Sequence, residues 1–323
     1  VFIALPPIFI ALNGAGLVEI VQLIAGLYFF VGLALCALMF TIYSAGMDLN
    51  LNLRPKLKAV FLYSWPLLMA SALSIVGLKA DHVIVASVLG TLSYALYTVG
   101  AFEIPVFNLL QNSVTSVLMP KITELLKAND FEQATNLWRR AAAKTAAVTF
   151  PLAVLLMINA NLVVKALFGV RYIDASTVFV LFNSFVFLRV ITFGLALRGM
   201  DKTHIELMLT LIYLLFSVVG SYFMASYYGI EGAAIWVIVN TIILSLALSF
   251  YTLLFSGGRL SLWRIYPIRH FTLSLILFFI VRFLQEINIL SFFHPLVISA
   301  FYSVLVILVW LGFLRFMIRE DIA

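Results

Sequence analysis

The chain holds 323 residues, 64% hydrophobic and 11% charged, with a net charge of +6 and a mean hydropathy of +1.14. Soluble domains carry roughly 25% charged and 45–50% apolar residues, so no globular core could absorb this much apolar surface and the excess must face lipid. The apolar residues come in unbroken runs, which excludes a transmembrane β-barrel and leaves helices; the positive charge is too small and scattered for nucleic-acid binding.

A spanning helix needs about 20 apolar residues. Residues 1–12 form a partial span, ended by Asn13-Gly14, and residues 17–43 the first complete one. The opening at Val1, inside an apolar stretch and without signal-peptide grammar, reads as a truncation. A polar link at residues 44–58 carries Arg54, Lys56 and Lys58. Residues 61–89 and 92–118 are then separated by little more than Gly90-Thr91, which predicts a tight helical hairpin.

Residues 119–144 differ from their surroundings. Lys121, Glu124, Lys127, Asp130, Glu132, Arg139, Arg140 and Lys144 alternate with apolar residues at helical spacing. Asp130 with Gln133 reads as a capping box, and the whole as an interfacial amphipathic elbow with Trp138 at headgroup level. Further spans follow at residues 145–168, 176–197, 204–227, 232–255, 271–287 and 295–315. The single cysteine, Cys36, excludes an internal disulfide, and His82, His204, His270 and His294 are too dispersed for a metal site.

Most of the 20 Lys and Arg fall in alternate connections: Arg54 to Lys58, Lys121 to Lys144, Arg198 with Lys202, Arg259 to Arg269, and Arg315 with Arg319. The positive-inside rule makes these cytoplasmic, and the C-terminus with them, in a multi-pass protein of the cytoplasmic membrane.

Four stretches carry a family likeness. Ser64-Trp65-Pro66-Leu67 opens one span, with Asp81 further along it; Val117-Leu118-Met119-Pro120-Lys121 leads into the elbow that ends in Arg139-Arg140-Ala141. Ala166-Leu167-Phe168-Gly169 is followed by Tyr172 and Ala175, and Tyr228-Gly229-Ile230-Glu231-Gly232-Ala233-Ala234 turns into a later span. In this order the chain resembles the oligosaccharide flippases of the multidrug/oligosaccharidyl-lipid/polysaccharide exporter superfamily, often labelled polysaccharide biosynthesis proteins. The resemblance implies two six-helix lobes related by a pseudo-two-fold axis, with two appended helices. Aligned so, residues 1–43 end the first lobe, 44–58 link it, 59–258 form the second six-helix lobe with the elbow at 119–144, and 259–323 supply two C-terminal helices. The expected fold is therefore an all-α integral membrane protein with one partial and nine complete transmembrane helices.

Ionisable groups inside a span cost roughly 2.5–3.5 kcal/mol on insertion scales and need partners or a wet cavity. Lys79, Asp81 and His82 lie deep in residues 61–89, and Glu103 lies in the hairpin partner. At about 1.5 Å rise per residue, Asp81 and Glu103 fall roughly 14–18 Å below the Gly90-Thr91 turn, with Lys79 slightly deeper. Lys79 could meet an anionic headgroup, with Asp81 or Glu103 binding a coupling proton or sodium ion. A self-neutralising Lys–carboxylate pair is the alternative. Arg189 sits near mid-bilayer, and its planar donor fork fits a diphosphate. Asn108, Gln111 and Asn112 after Pro105, and Asn240-Thr241 later, suit either substrate contact or interhelical bonding. Pro105 predicts a kink; Glu19 and Arg282 lie near span ends.

No P-loop and no nucleophile–base pairing is legible, and the connections on the other side are too short for a sugar-transfer site. The resemblance implies a transporter and not an enzyme, with no cofactor or metal, moving undecaprenyl-diphosphate-linked oligosaccharide, with other glycan-assembly proteins as candidate partners. A cation-coupled multidrug exporter, a membrane-embedded glycosyltransferase or polymerase, and a purely structural subunit stay open as alternatives.

Overall fold

A computed structural model describes residues 17–44, 53–287 and 294–322, and all its regular elements are helices, with no strand among the described residues. The expected partial span at residues 1–12 and residues 45–52 of the linker lie outside them. The chain divides into two compact units, Val1–Ala59 and Val60–Ala323.

The first unit holds α1, Leu17–Ser44, whose aromatic run Tyr28, Phe29 and Phe30 is exposed. Exposed aromatic side chains of this kind suit a lipid environment. The second unit begins within α2 (Leu53–Gly100) and continues through α3 (Pro105–Lys127), α4 (Phe131–Ile158), α5 (Ala160–Phe168), a 3-10 turn (Val170–Ala175) and α6 (Ser176–Arg189). After these come α7 (Leu195–Gly199), α8 (Thr203–Phe255), α9 (Leu262–Ile265), α10 (Ile268–Ile287) and α11 (Pro295–Ile322).

Among the described residues, six helical stretches are long and apolar enough to cross a membrane. The count differs from the expected tally partly because two of them are doubled. α8 has 53 residues, about 80 Å if straight, against a hydrocarbon core of about 30 Å. It cannot be straight: the Trp236 indole N–H donates to the Phe216 carbonyl at 2.9 Å, and Asn240 to the Tyr213 carbonyl at 3.1 Å. The chain reverses at Gly229, with φ 64° and ψ −151°, a region only glycine enters freely. α2 reverses in the same way at Gly90, with φ 81° and ψ 179°, so that the Tyr97 hydroxyl reaches Asp81 at 2.5 Å. Both turns stand where the sequence put them.

Small residues let the arms of α8 close up, as helix pairs do in lipid. A Cβ on Gly220 would fall 1.8 Å from the Trp236 ring, and one on Gly232 would fall 2.4 Å from the Met224 carbonyl oxygen.

Three runs read as single spans are interrupted. Residues 92–118 are broken at 101–104, residues 145–168 at Asn159, and residues 176–197 at 190–194. At the first, Ile104 is extended (φ −69°, ψ 122°) because the ring of Pro105 disfavours the helical region for the residue before it. Pro105 then opens α3, where its missing N–H costs nothing. The expected kink is thus a full break.

α4 is the hub, packing on α3, α6, α9, α10 and α11. Its apolar face supplies Phe150, Val154 and Met157 to a cluster completed by Phe187, Val281, Tyr302 and Trp310. Nearer its start, Asp130 caps the helix by accepting from the Gln133 N–H at 3.0 Å. Trp138, expected at headgroup level, is only 2% exposed and packs with Ile122, Leu126, Leu195 and Leu260. The elbow's apolar stripe is covered by protein.

Candidate functional site

The breaks before Pro105 and after Arg189 meet. Arg189, the last residue of α6, donates through Nη1 to Glu103 Oε2 at 2.7 Å and to Asn108 Oδ1 at 3.3 Å. Asn108, on the first turn of α3, also donates from Nδ2 to the same Glu103 oxygen at 3.0 Å. The guanidinium lies 5.6 Å over the Phe185 ring. Below this, Thr115 of α3 and Thr192 in the second break share a hydrogen bond of 3.0 Å. The side chains of Arg189 and Glu103 keep 27% and 33% of their exposure, so the pair is half-buried and reachable.

Local sequence explains both breaks. Gly100 lies so close to α6 that a Cβ would fall 2.5 Å from the Cβ of Val178. The Ala101 N–H still bonds to the Tyr97 carbonyl, and then the ladder ends. On the other side, a Cβ on Gly194 would lie 2.7 Å from Glu206 Oε1. Glu206, at the start of α8, is gripped by Arg198 through Nε and Nη2, the shortest contact being 2.6 Å. Only a glycine leaves room for that pair beside the break. Non-helical backbone at membrane depth is tolerated where protein or water covers it, and discontinuous helices of this kind line transporter sites.

A second polar group lies in the α2 hairpin. Asp81 is 1% exposed, takes the Tyr97 hydroxyl on Oδ2, and leaves Oδ1 without a partner among the described residues. His82 meets Tyr97 and Tyr94 edge-on. A run of rings, Tyr97 to Phe182 to Phe185, joins Asp81 to Arg189.

Of the residues singled out in the sequence, the structure brings together Glu103, Asn108 and Arg189. It buries Asp81 against Tyr97 and leaves Lys79 exposed, with no hydrogen bond or ion pair to a described residue. Gln111 is half-buried and lines a cavity of about 10 Å³ with Thr115, Thr192 and Trp138, whereas Asn112 is exposed. Asn240 is a packing contact, bonded across the α8 hairpin. Arg282 is exposed on α10; the side chains of Glu19 and Cys36 lie outside the described residues. Sequence reasoning missed Tyr97, Thr192, Phe185 and the Arg198–Glu206 pair. Tyr97 alone had a signal, because it is as far beyond the Gly90 turn as Asp81 is before it, to within two residues. Among the described residues no three His, Cys, Asp or Glu side chains gather as a metal site.

What the arrangement can do is hold an anion. A guanidinium held through Nη1 by one carboxylate oxygen and one amide oxygen has further N–H donors on Nε and Nη2 with which to bind one.

The sequence profile of a family described as polysaccharide biosynthesis protein matches residues 2–177. The capsular polysaccharide biosynthesis protein CapF of Staphylococcus aureus is 20% identical over 200 residues, 61% of this chain and 50% of CapF. The chain thus spans about half the length of the curated relative it matches. No solved structure matches it. With six helical stretches among the described residues apolar enough to cross a bilayer and more than half of its length inside the profile, the chain belongs to the polysaccharide biosynthesis protein family, as a multi-pass membrane protein.

Proposed function

We propose that the protein moves a lipid-linked oligosaccharide, carried on undecaprenyl diphosphate, across the cytoplasmic membrane by alternating access, as a transporter and not an enzyme. The observation that carries this reading is the Arg189–Glu103–Asn108 cluster at two facing helix breaks. Glu103 occupies the place a phosphate oxygen would take on the guanidinium. An arriving diphosphate displaces it, and Lys79, exposed on the α2 hairpin, adds a second positive charge. The released carboxylate then stands uncompensated and takes up a proton or sodium ion, which ties substrate binding to ion uptake. Asp81, with its unpartnered oxygen, is the other candidate for the coupling ion. Gln111 and Asn112 follow Asn108 on α3 and extend the polar stripe available to sugar hydroxyls.

The lipid tail stays in the bilayer throughout. An inside-negative potential favours outward movement of the anionic headgroup by roughly 2.3 kcal/mol per charge per 100 mV. The basic connections face the cytoplasm, the C-terminus with them, and other glycan-assembly proteins supply and consume the substrate. The test is glycan export by the full-length protein. Removing charged hydrogen bonds worth about 1.5–3 kcal/mol each, Arg189→Ala lowers export at least tenfold, and Arg189→Lys, lacking the fork, recovers only part. If Arg189→Ala and Lys79→Ala both leave export intact, the reading fails.

One observation favours a second reading, a cation-coupled multidrug exporter: the buried Asp81 accepts from Tyr97, whose ring packs edge-on against His82 and Phe182. That reading predicts drug resistance on expression, and export of glycan unaffected by Arg189→Ala.

A further inference from the structure

The four-residue helix α9 stands between two recesses of opposite character. On one side Arg259 and Arg264 join Arg139 of α4 in lining an open cleft of about 750 Å³, together with Asp130 and Glu132. On the other, Leu262 and Trp263 line an almost wholly apolar groove of about 190 Å³ with Ile191, Ile242, Tyr266 and Phe271. Adjacent residues of one short helix, Trp263 and Arg264, thus serve the groove and the cleft in turn. Trp263 is 71% exposed.

The three guanidiniums are available. Among the described residues none of them is ion-paired with Asp130 or Glu132. Asp130 is engaged as the cap of α4, and Arg259 lies over the Phe131 ring at 5.8 Å, which fixes its position without neutralising it. Two basic connections that are far apart in sequence, 119–144 and 259–269, supply the same cleft.

We infer that cleft and groove together form a binding site for an anionic phospholipid of the surrounding leaflet, its phosphate among Arg139, Arg259 and Arg264 and an acyl chain in the groove beside Trp263. Guanidinium forks match phosphate oxygens in geometry and charge. Basic pockets beside spanning helices are where anionic headgroups settle, and an exposed tryptophan suits the headgroup level. A free phosphate would need the cleft alone, and the groove, opening beside the same short helix, selects the lipid. The site is separate from the Arg189 cluster, and its occupancy does not depend on what that cluster transports.

The test measures retention of phosphatidylglycerol by the purified full chain, reconstituted in phosphatidylcholine alone or mixed with phosphatidylglycerol, with inorganic pyrophosphate as the lipid-free probe. Wild-type protein retains phosphatidylglycerol over phosphatidylcholine. With surface guanidiniums worth about 1 kcal/mol each towards an anionic leaflet, every Arg→Gln change lowers its affinity about fivefold. Arg259→Gln with Arg264→Gln therefore costs about 25-fold, Trp263→Ala severalfold, and Lys121→Gln, on the same basic connection but outside the cleft, nothing. Should the double variant fold poorly, Arg139→Gln, on the exposed surface of α4, decides alone. Unchanged retention in the arginine variants overturns the site. Pyrophosphate displacing phosphatidylglycerol, together with a Trp263→Ala protein that retains phosphatidylglycerol as well as the wild type does, overturns the lipid assignment in favour of a free anion.

Discussion

Arg189 and Glu103 are 86 residues apart in sequence and 2.7 Å apart in space. Each was legible as an anomaly, because a charge inside an apolar run must have a reason to be there. Their partnership was not legible, since no spacing rule links two helix ends that meet through tertiary packing. Lys79 and Asp81 do not pair with each other, for a simpler reason. Two positions along a helix differ by about 200° around its axis, so burying Asp81 turns Lys79 outward whatever their common depth. The same arithmetic places Asn108, Gln111 and Thr115 on one stripe of α3, and these do face the breaks. At this scale the Asp81–Tyr97 bond makes a clean prediction. Tyr97→Phe leaves a buried carboxylate with neither oxygen bonded and costs about 1–3 kcal/mol, measured by unfolding in detergent. Combining it with Asp81→Asn, which removes the charge, recovers part of that loss; a fully additive double variant would mean that the two side chains do not act as a pair.

The helices and hairpin turns followed from apolar run length and glycine placement, and the interruptions did not. A run of apolar residues looks the same whether the helix continues or stops, and only Pro105 betrayed one of the three breaks. The hairpins are the most testable elements. Gly229→Ala forces a side chain into backbone space that costs about 1–3 kcal/mol, and Gly90→Ala does the same, each read as a lowered unfolding midpoint. Gly220→Ala pushes a methyl group into Trp236, an overpacking cost of about 1–3 kcal/mol that Trp236→Ala relieves. At the start of α4, Asp130→Ala removes the cap bond and costs about 1 kcal/mol, while leaving Arg189-dependent transport unchanged.

For the molecule as a whole, two placements are open to direct measurement. If the basic connections face the cytoplasm as proposed, a fluorescent protein fused to the C-terminus is bright and an alkaline phosphatase fused there is inactive; the reverse pattern would invert the topology. If Lys79 lines the proposed substrate cavity, where a bare charge at that depth is otherwise costly, water reaches it. In a Cys36→Ser background, Lys79→Cys is labelled by a membrane-impermeant thiol reagent, and Phe279→Cys, exposed on α10, is not. The turn at Gly90 has a consequence for how the chain is made. From residue 83 to residue 102 it holds no Asp, Glu, Lys or Arg, and between residues 207 and 258 Glu231 is the lone charge. Each tip can therefore pass through the bilayer during synthesis without dragging a cation across. The two arms can enter the translocation machinery together as a closed loop, neither one waiting for the other to be anchored. An arginine placed at either tip, as in Gly229→Arg, would stall that passage and strand both arms on the side of the ribosome.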